Sequence, residues 1–235
     1  MQQQLLNYQF MVKSFWKILS ALPVTLNIAI VTMFFSLILS FFIAVVRINK
    51  VKILSKLAII YVSFIRGTPL LVQIYLSYYG IPKFLNHMNA KFGWSLNVNN
   101  VPVIMFVYVA FILNMSAYMS ETFRAAILSV EKGQMEAAIS IGMSKWQAMR
   151  RIILPQAFVT ALPNLGNSFI SLIKDTSLAF VVSIVELMGK AKIVGAAGLN
   201  FFEVYIVVAL IYWIVCIVME GLLMSLEKMV RIGGQ

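Results

Sequence analysis

Residues 21–46 read ALPVTLNIAIVTMFFSLILSFFIAVV, and no charged side chain occurs between Lys17 and Arg47. About 20 apolar residues in a helix cross a bilayer's hydrocarbon, so this run is long enough to span it with some tilt. The run is continuously apolar. A strand of a membrane barrel would alternate polar and apolar residues over about 10 positions, so the stretch predicts an α-helix in lipid.

Four further runs lie outward from it: residues 57–79, 101–123, 155–183 and 204–226. The second contains Arg66, the third ends around Glu121, the fourth carries Pro163, Gly166, Lys174 and Asp175, and the fifth has Glu220 near its end. Composition agrees. Of 235 residues, 61% are hydrophobic and 11% charged, whereas soluble domains hold about 45–50% apolar and about 25% charged residues. The expectation is an all-α membrane protein of five transmembrane helices in a single domain covering residues 1–235. One cysteine, Cys216, and one histidine, His87, exclude a disulfide scaffold and a structural zinc site. The N-terminus lacks the basic start, apolar core and small-residue cleavage site of a signal peptide.

The net charge of +11 would suggest nucleic acid in a soluble protein, but these basic residues stand between apolar runs. Eleven fall in the connectors after spans one and three and in the tail, from Arg47 to Arg231, and six fall on the other side: Lys13, Lys17, Lys83, Lys91, Lys190 and Lys192. The bias predicts an outside N-terminus and a cytoplasmic C-terminus. Residues 8–22, with Phe10, Phe15 and Trp16 beside Lys13 and Lys17, suit an interfacial helix or an ordinary flanking anchor. Residues 80–100 suggest turns or a short lid, and residues 189–200 a re-entrant turn. Glu186 and Glu203 are expected on the outer side of the membrane, and Glu220 is expected to have a buried partner.

Polar residues inside the spans are costly and mark function or packing. Arg66 either attracts a substrate carboxylate, organises a gate, or pairs with an acid such as Glu121. Gly67 and Pro69 beside it predict a broken helix, and Gln73 is the lumen candidate past the break. On span three, Asn114, Tyr118 and Glu121 recur at helical spacing. On span four, Asn164, Asn167 and Ser171 do the same, with Lys174 extending the stripe and Asp175 beside it. Either stripe lines a path or serves as polar glue between helices.

The least apolar long stretch, residues 131–151, reads EKGQMEAAISIGMSKWQAMRR. Glu136, Ala137 and Ala138 favour helix, Gly142 interrupts it, and Ser144 is placed to cap a second segment. Ile139, Ile141 and Met143 are left exposed unless something covers them. This is either a docking element or an amphipathic linker on the lipid surface. Glu136-Ala137-Ala138, Gly142, Ile152 and Leu154-Pro155 have the spacing of the EAA loop, and the chain resembles the binding-protein-dependent ABC importer permeases. Arg66-Gly67-Thr68-Pro69-Leu70-Leu71-Val72-Gln73, Glu121-Thr122-Phe123-Arg124, Gly133-Gln134, Leu154-Pro155-Gln156-Ala157 and Lys174-Asp175-Thr176-Ser177-Leu178 are similar to the polar amino acid branch.

The resemblance implies a type I importer bundle in the bacterial inner membrane. It implies a coupling helix over about residues 134–147, with Glu136, Ala137, Ala138 and Gly142 docking on a cytoplasmic ATPase. It also implies a second permease subunit, in a homodimer or a heterodimer, and a solute-binding protein that delivers a polar amino acid. The sequence has no GxxxxGK[ST] loop. No cofactor is therefore expected in this chain, ATP and magnesium belong to the partner ATPase, and the subunit itself makes or breaks no bond. An ion-coupled carrier using Asp175 or Glu121, and a non-transporting assembly protein, are the alternatives.

Overall fold

The computed structural model describes residues 6–95 and 97–232, without the side chains of Asn99, Val230, Arg231 and Ile232. Arg231, counted above with the basic tail, thus has its side chain outside the described set. Every regular element among the described residues is helical: α1 Tyr8–Leu19, α2 Leu22–Ile48, α3 Lys52–Arg66, α4 Leu70–Tyr75, α5 Ile81–Phe92, α6 Val103–Ser129, α7 Lys132–Ser140, α8 Lys145–Ala148, α9 Leu154–Asp175, α10 Leu187–Gly198 and α11 Phe201–Ile232. Wide π-type turns lie at Leu76–Gly80 and Met149–Ile153, and 3-10 turns at Val98–Asn100 and Thr176–Val182. Four stretches are long and apolar enough to span a membrane: Leu22–Ile48, Val103–Ser129, Lys145–Val182 and Phe201–Met229. The broken pair Lys52–Arg66 and Leu70–Phe92 supplies a fifth.

Contacts divide the chain into two compact units. The first comprises Met1–Met33, Thr68–Ile112 and Ile170–Met219. Its apolar core gathers Ile18, Leu187, Ala191, Val194, Val204, Val207, Val208 and Ile211. Asn7 caps α1 by accepting the amide of Phe10 at 3.0 Å, which satisfies one of the orphan donors at a helix start. Ser14 and Ile18 are buried, while Tyr8, Val12 and Trp16 are exposed at successive fourth positions. The amphipathic reading of this segment therefore describes a helix packed on α10. Residues 189–198 lie in α10, and a turn at Leu199, with φ of +52°, leads into α11; Gly195 lets α11 approach so closely that a Cβ there would lie 2.8 Å from Val204.

Glu186 is the N-cap of α10 and is fully buried. Its carboxylate accepts the amides of Met188 at 2.9 Å and Gly189 at 2.7 Å, and the Tyr212 hydroxyl at 2.8 Å. Burial pushes its pKa above the ordinary carboxylate range, and the three donors and nearby Lys192 oppose that shift. Thr25 accepts the Leu187 amide at 3.2 Å beside it. Glu203 accepts the amide of Asn7 at 3.3 Å.

The second unit comprises Phe34–Gly67, Leu113–Phe169 and Glu220–Gln235. Ile43, Val62, Ile65 and Ala117 form its packed centre, with Leu39, Ala58 and Tyr61 against them. The Tyr61 hydroxyl bonds to Leu113 O at 2.6 Å and Ser116 Oγ at 2.7 Å, so a polar group inside an apolar bundle has partners. Phe41 and Phe123 meet edge to face, with ring centroids 5.8 Å apart. Glu220 is exposed on α11 rather than buried with a partner.

One further expectation changes. Residues 80–100 are helical from Ile81 to Phe92, with Pro82 in the first turn of α5. A proline is tolerated there because the first-turn amides have no partner within the helix. Gly93 ends the helix with φ of +67°, and irregular chain in this segment begins only there. Span four passes Pro163 without leaving its helix and changes to a 3-10 turn after Asp175.

Candidate docking loop and translocation residues

The docking candidate is two helices and a glycine hinge, not one helix over residues 134–147. The helix α7 stops at Ser140, and the Met143 amide bonds to Ala138 O at 3.1 Å while the Gly142 amide bonds to Ile139 O at 3.0 Å. These two bonds are the paired closure of a Schellman motif, which needs a left-handed residue between them. Gly142 supplies it with φ of +88°. Ser144 then caps α8 with a reciprocal box: Gln147 N donates to Ser144 Oγ at 3.2 Å, and Ser144 N to Gln147 Oε1 at 2.8 Å. Stop, turn and restart are all local, which is why glycine and serine at these spacings signal them.

Consecutive helical residues point about 100° apart, so Glu136, Ala137 and Ala138 cannot share a face. Glu136, Ala137 and Gly142 are exposed; Ala138 is 2% exposed and turned into its own chain. The docking face expected of the four thus loses Ala138. Ile141, 75% exposed, and Trp146, 66% exposed, stand beside the hinge instead. Together they leave an open apolar patch on a segment rich in charge.

The second feature is a charge cluster within the second unit. Glu121 on α6 receives Arg47 at Oε1 and Arg124 Nε at Oε2, the latter at 2.9 Å. Arg66, the last residue of α3, reaches Oε1 only at 4.0 Å, and its guanidinium lies 5.4 Å from the centroid of the Tyr118 ring. Sequence suggests the pairing of Arg66 with Glu121, but the stronger partner is Arg47, which in the sequence reads only as a connector charge. A lone acid in an apolar run requires a counter-charge, and that requirement was the available signal. An open cleft of about 470 Å³ adjoins the cluster.

Gln73 is buried, and its amide donates to Thr68 O at 3.0 Å and Thr68 Oγ1 at 2.9 Å. It serves the chain break at Gly67–Pro69, where backbone groups lose their helical partners. Asn114 is half-buried and Tyr118 exposed. On α9, Asn164, Asn167, Ser171 and Lys174 are all exposed, and Asp175 is half-buried. Their helical spacing puts the four on one strip of α9.

The comparisons with known proteins agree with this architecture. Residues 36–232 match the family described as binding-protein-dependent transport system inner membrane component. The probable amino-acid permease protein YxeN of Bacillus subtilis (strain 168) is 40% identical over 213 residues, covering 91% of each chain. The L-cystine transport system permease protein TcyB of the same organism is 44% identical over 210 residues, covering 88% of this chain and 84% of its own. A crystal structure of an amino acid ABC transporter with histidines superposes with a TM-score of 0.81 at 34% identity, covering 96% of this chain and 99% of that one. Such permease subunits leave ATP hydrolysis to a separate subunit. The family match over most of the length, the helical architecture and the superposition lead to one conclusion: this chain belongs to the inner membrane components of binding-protein-dependent ABC transporters, as a multi-pass, non-catalytic permease subunit.

Proposed function

We propose that this subunit carries a polar amino acid from a solute-binding protein into the cytoplasm, with its N-terminus outside and its C-terminus inside. The hinge formed by α7, Gly142 and α8 is the grip of an ATPase partner. The observation that carries this reading is the exposed apolar surface of Ile141 and Trp146 beside the hinge, together with the amino-acid transport named for relatives that the chain matches over most of its length. Glu136, Ala137 and Gly142 form that surface with them. ATP and magnesium bind in the ATPase, and its closure biases the permease only through contacts that differ between inward and outward packings.

Asn164, Asn167, Ser171, Lys174 and Asp175 are the substrate-path residues best supported. The strip is exposed in the single chain, and it combines amide, hydroxyl and ammonium donors with a nearby carboxylate, groups that suit a zwitterion. It faces the path shared with a second permease subunit. Asn114 contributes from α6. Arg66, Tyr118 and Glu121 hold the charge cluster, and Gln73 holds the helix break.

The test is reconstitution with the ATPase, the partner permease and the binding protein, followed by competition uptake with a panel of amino acids. Uptake that needs ATP and is displaced by one polar amino acid is expected. In the same system Gly142→Pro should insert normally yet uncouple hydrolysis from uptake, because proline has no amide to donate to Ile139 and cannot take a positive φ. Ion-gradient-driven uptake by this chain alone would overturn the reading.

A further inference from the structure

The charge cluster on Glu121 is unbalanced. Three guanidiniums surround one carboxylate, leaving two positive charges in a chain that spans a membrane. Both carboxylate oxygens are already taken, one by Arg47 and one by Arg124. Arg66 is left with a 4.0 Å contact, and its side chain remains 47% exposed. The guanidinium presents five N–H donors in a planar fork, and Arg66 lines the cleft. The Tyr118 ring lies against the guanidinium, with 5.4 Å between its carbon and the ring centroid.

Part of the cleft lining comes from α3. Ser63 is exposed one turn before Arg66, so its hydroxyl opens on the same space, and Ile59 and Val62 give an apolar floor. Further along α3, Ile53, Leu57, Ile60 and Phe64 are all exposed at helical spacing, an apolar strip suited to acyl chains. Charge surplus, a free fork, a hydroxyl and an adjoining lipid-compatible strip share one preference. It is for an oxyanion with several acceptor oxygens, since a fork pairs best with phosphate or carboxylate geometry. Basic pockets between membrane helices bind phospholipid head groups in this way.

We propose that the cleft lined by Arg47, Ser63, Arg66 and Glu121 is a binding site for a phosphate-class oxyanion. Arg66 grips the anion, and Arg47 and Arg124 supply the surrounding positive field while holding Glu121. The source is either an anionic phospholipid head group or soluble phosphate. The site shares no residue with the polar strip of α9 and does not depend on which amino acid is carried.

The test uses the assembled permease–ATPase complex in nanodiscs of phosphatidylcholine in phosphate-free buffer. One arm adds phosphatidylglycerol and counts retained lipid by native mass spectrometry. The other adds inorganic phosphate and reads the melting temperature. Arg66→Gln should weaken binding in the responding arm about tenfold, the loss of one charge-assisted bidentate contact. Arg66→Lys, which keeps the charge without the fork, should fall between. Lys228→Gln, an exposed cation on α11 outside the cleft, should match the unaltered complex. Retention of phosphatidylglycerol with that ranking identifies the lipid as the source. A melting rise in phosphate with the same ranking identifies a soluble source. No response in either arm, or equal responses from the unaltered complex and R66Q at normal assembly, overturns the proposal.

Discussion

Replacing Glu121 with glutamine should destabilise the subunit through charges it leaves behind rather than through the bond it loses. Glu121 neutralises Arg47 and Arg124 directly and Arg66 partly. Without it three guanidiniums face one another in the second unit. Breaking a well-buried ion pair by removing one member costs about 3–5 kcal/mol. Here Glu121 is 22% exposed, and Arg66 and Arg124 are more open, so solvent screening reduces the cost to about 1.5–2.5 kcal/mol. For a chain of this size that corresponds to a fall of roughly 4–8 °C in Tm. The assay is the melting of the purified complex in phosphate-free detergent, read by tryptophan fluorescence. Adding Arg47→Gln to Glu121→Gln should recover about half the loss, because Arg47, only 15% exposed, is the guanidinium least able to reach water. A Glu121→Gln complex that melts within about 1 °C of the unaltered one would refute this electrostatic account. So would a double variant no more stable than the single one.

Gln73→Leu should cost about 1–2 kcal/mol, since Thr68 loses two bonds at a break in the helix; a lowered Tm with normal membrane insertion is the expected result. Gly142→Ala should cost roughly 1 kcal/mol, because alanine is strained at φ of +88° although nothing lies within 4 Å of its methyl position. ATPase stimulation by the loaded binding protein should fall further than the melting temperature does. Glu186 has a folded pKa raised by burial, so the unfolded chain releases this proton at lower pH than the folded one. Stability contributed by the site is therefore lost as pH rises from the ordinary carboxylate range through the folded value. The advantage of the unaltered protein over Glu186→Gln should shrink as pH rises above the ordinary carboxylate range, as followed by paired melting curves; an advantage that grows with rising pH would contradict the burial-dominated shift.

Much of the architecture was legible because its causes are local or compositional. Residues 21–46 have to be a helix in lipid, since only helices and closed barrels satisfy so many backbone groups away from water and this run lacks a barrel strand's alternation. The stop at Gly142 and the restart at Ser144 depend on φ preference and on bonds three to five residues apart, so their residue types announce them. The break at Gly67–Pro69 belongs to the same class. The spacing of the EAA-like segment carried the family as well, because a docking surface constrains neighbouring positions on one short element.

Other assignments depended on what lies beside a residue. Nothing in the sequence marks Glu186 as buried until Tyr212, 26 positions later, and the amides of α10 are found around it. Arg47 reads as a flanking charge until Glu121 is found 74 positions away. Ala138 and Ala137 are the same residue type side by side, and only the packing of α7 decides which one faces outward. Sequence by itself determined that this chain is helical, lipid-embedded and interrupted at glycine, because hydrophobicity and backbone preference are properties of each residue and its immediate neighbours. Tertiary structure alone decided which charges meet, which acid is buried and which side of the docking loop is open. Those are properties of pairs, and elements far apart along the chain create the pairs only when they fold together.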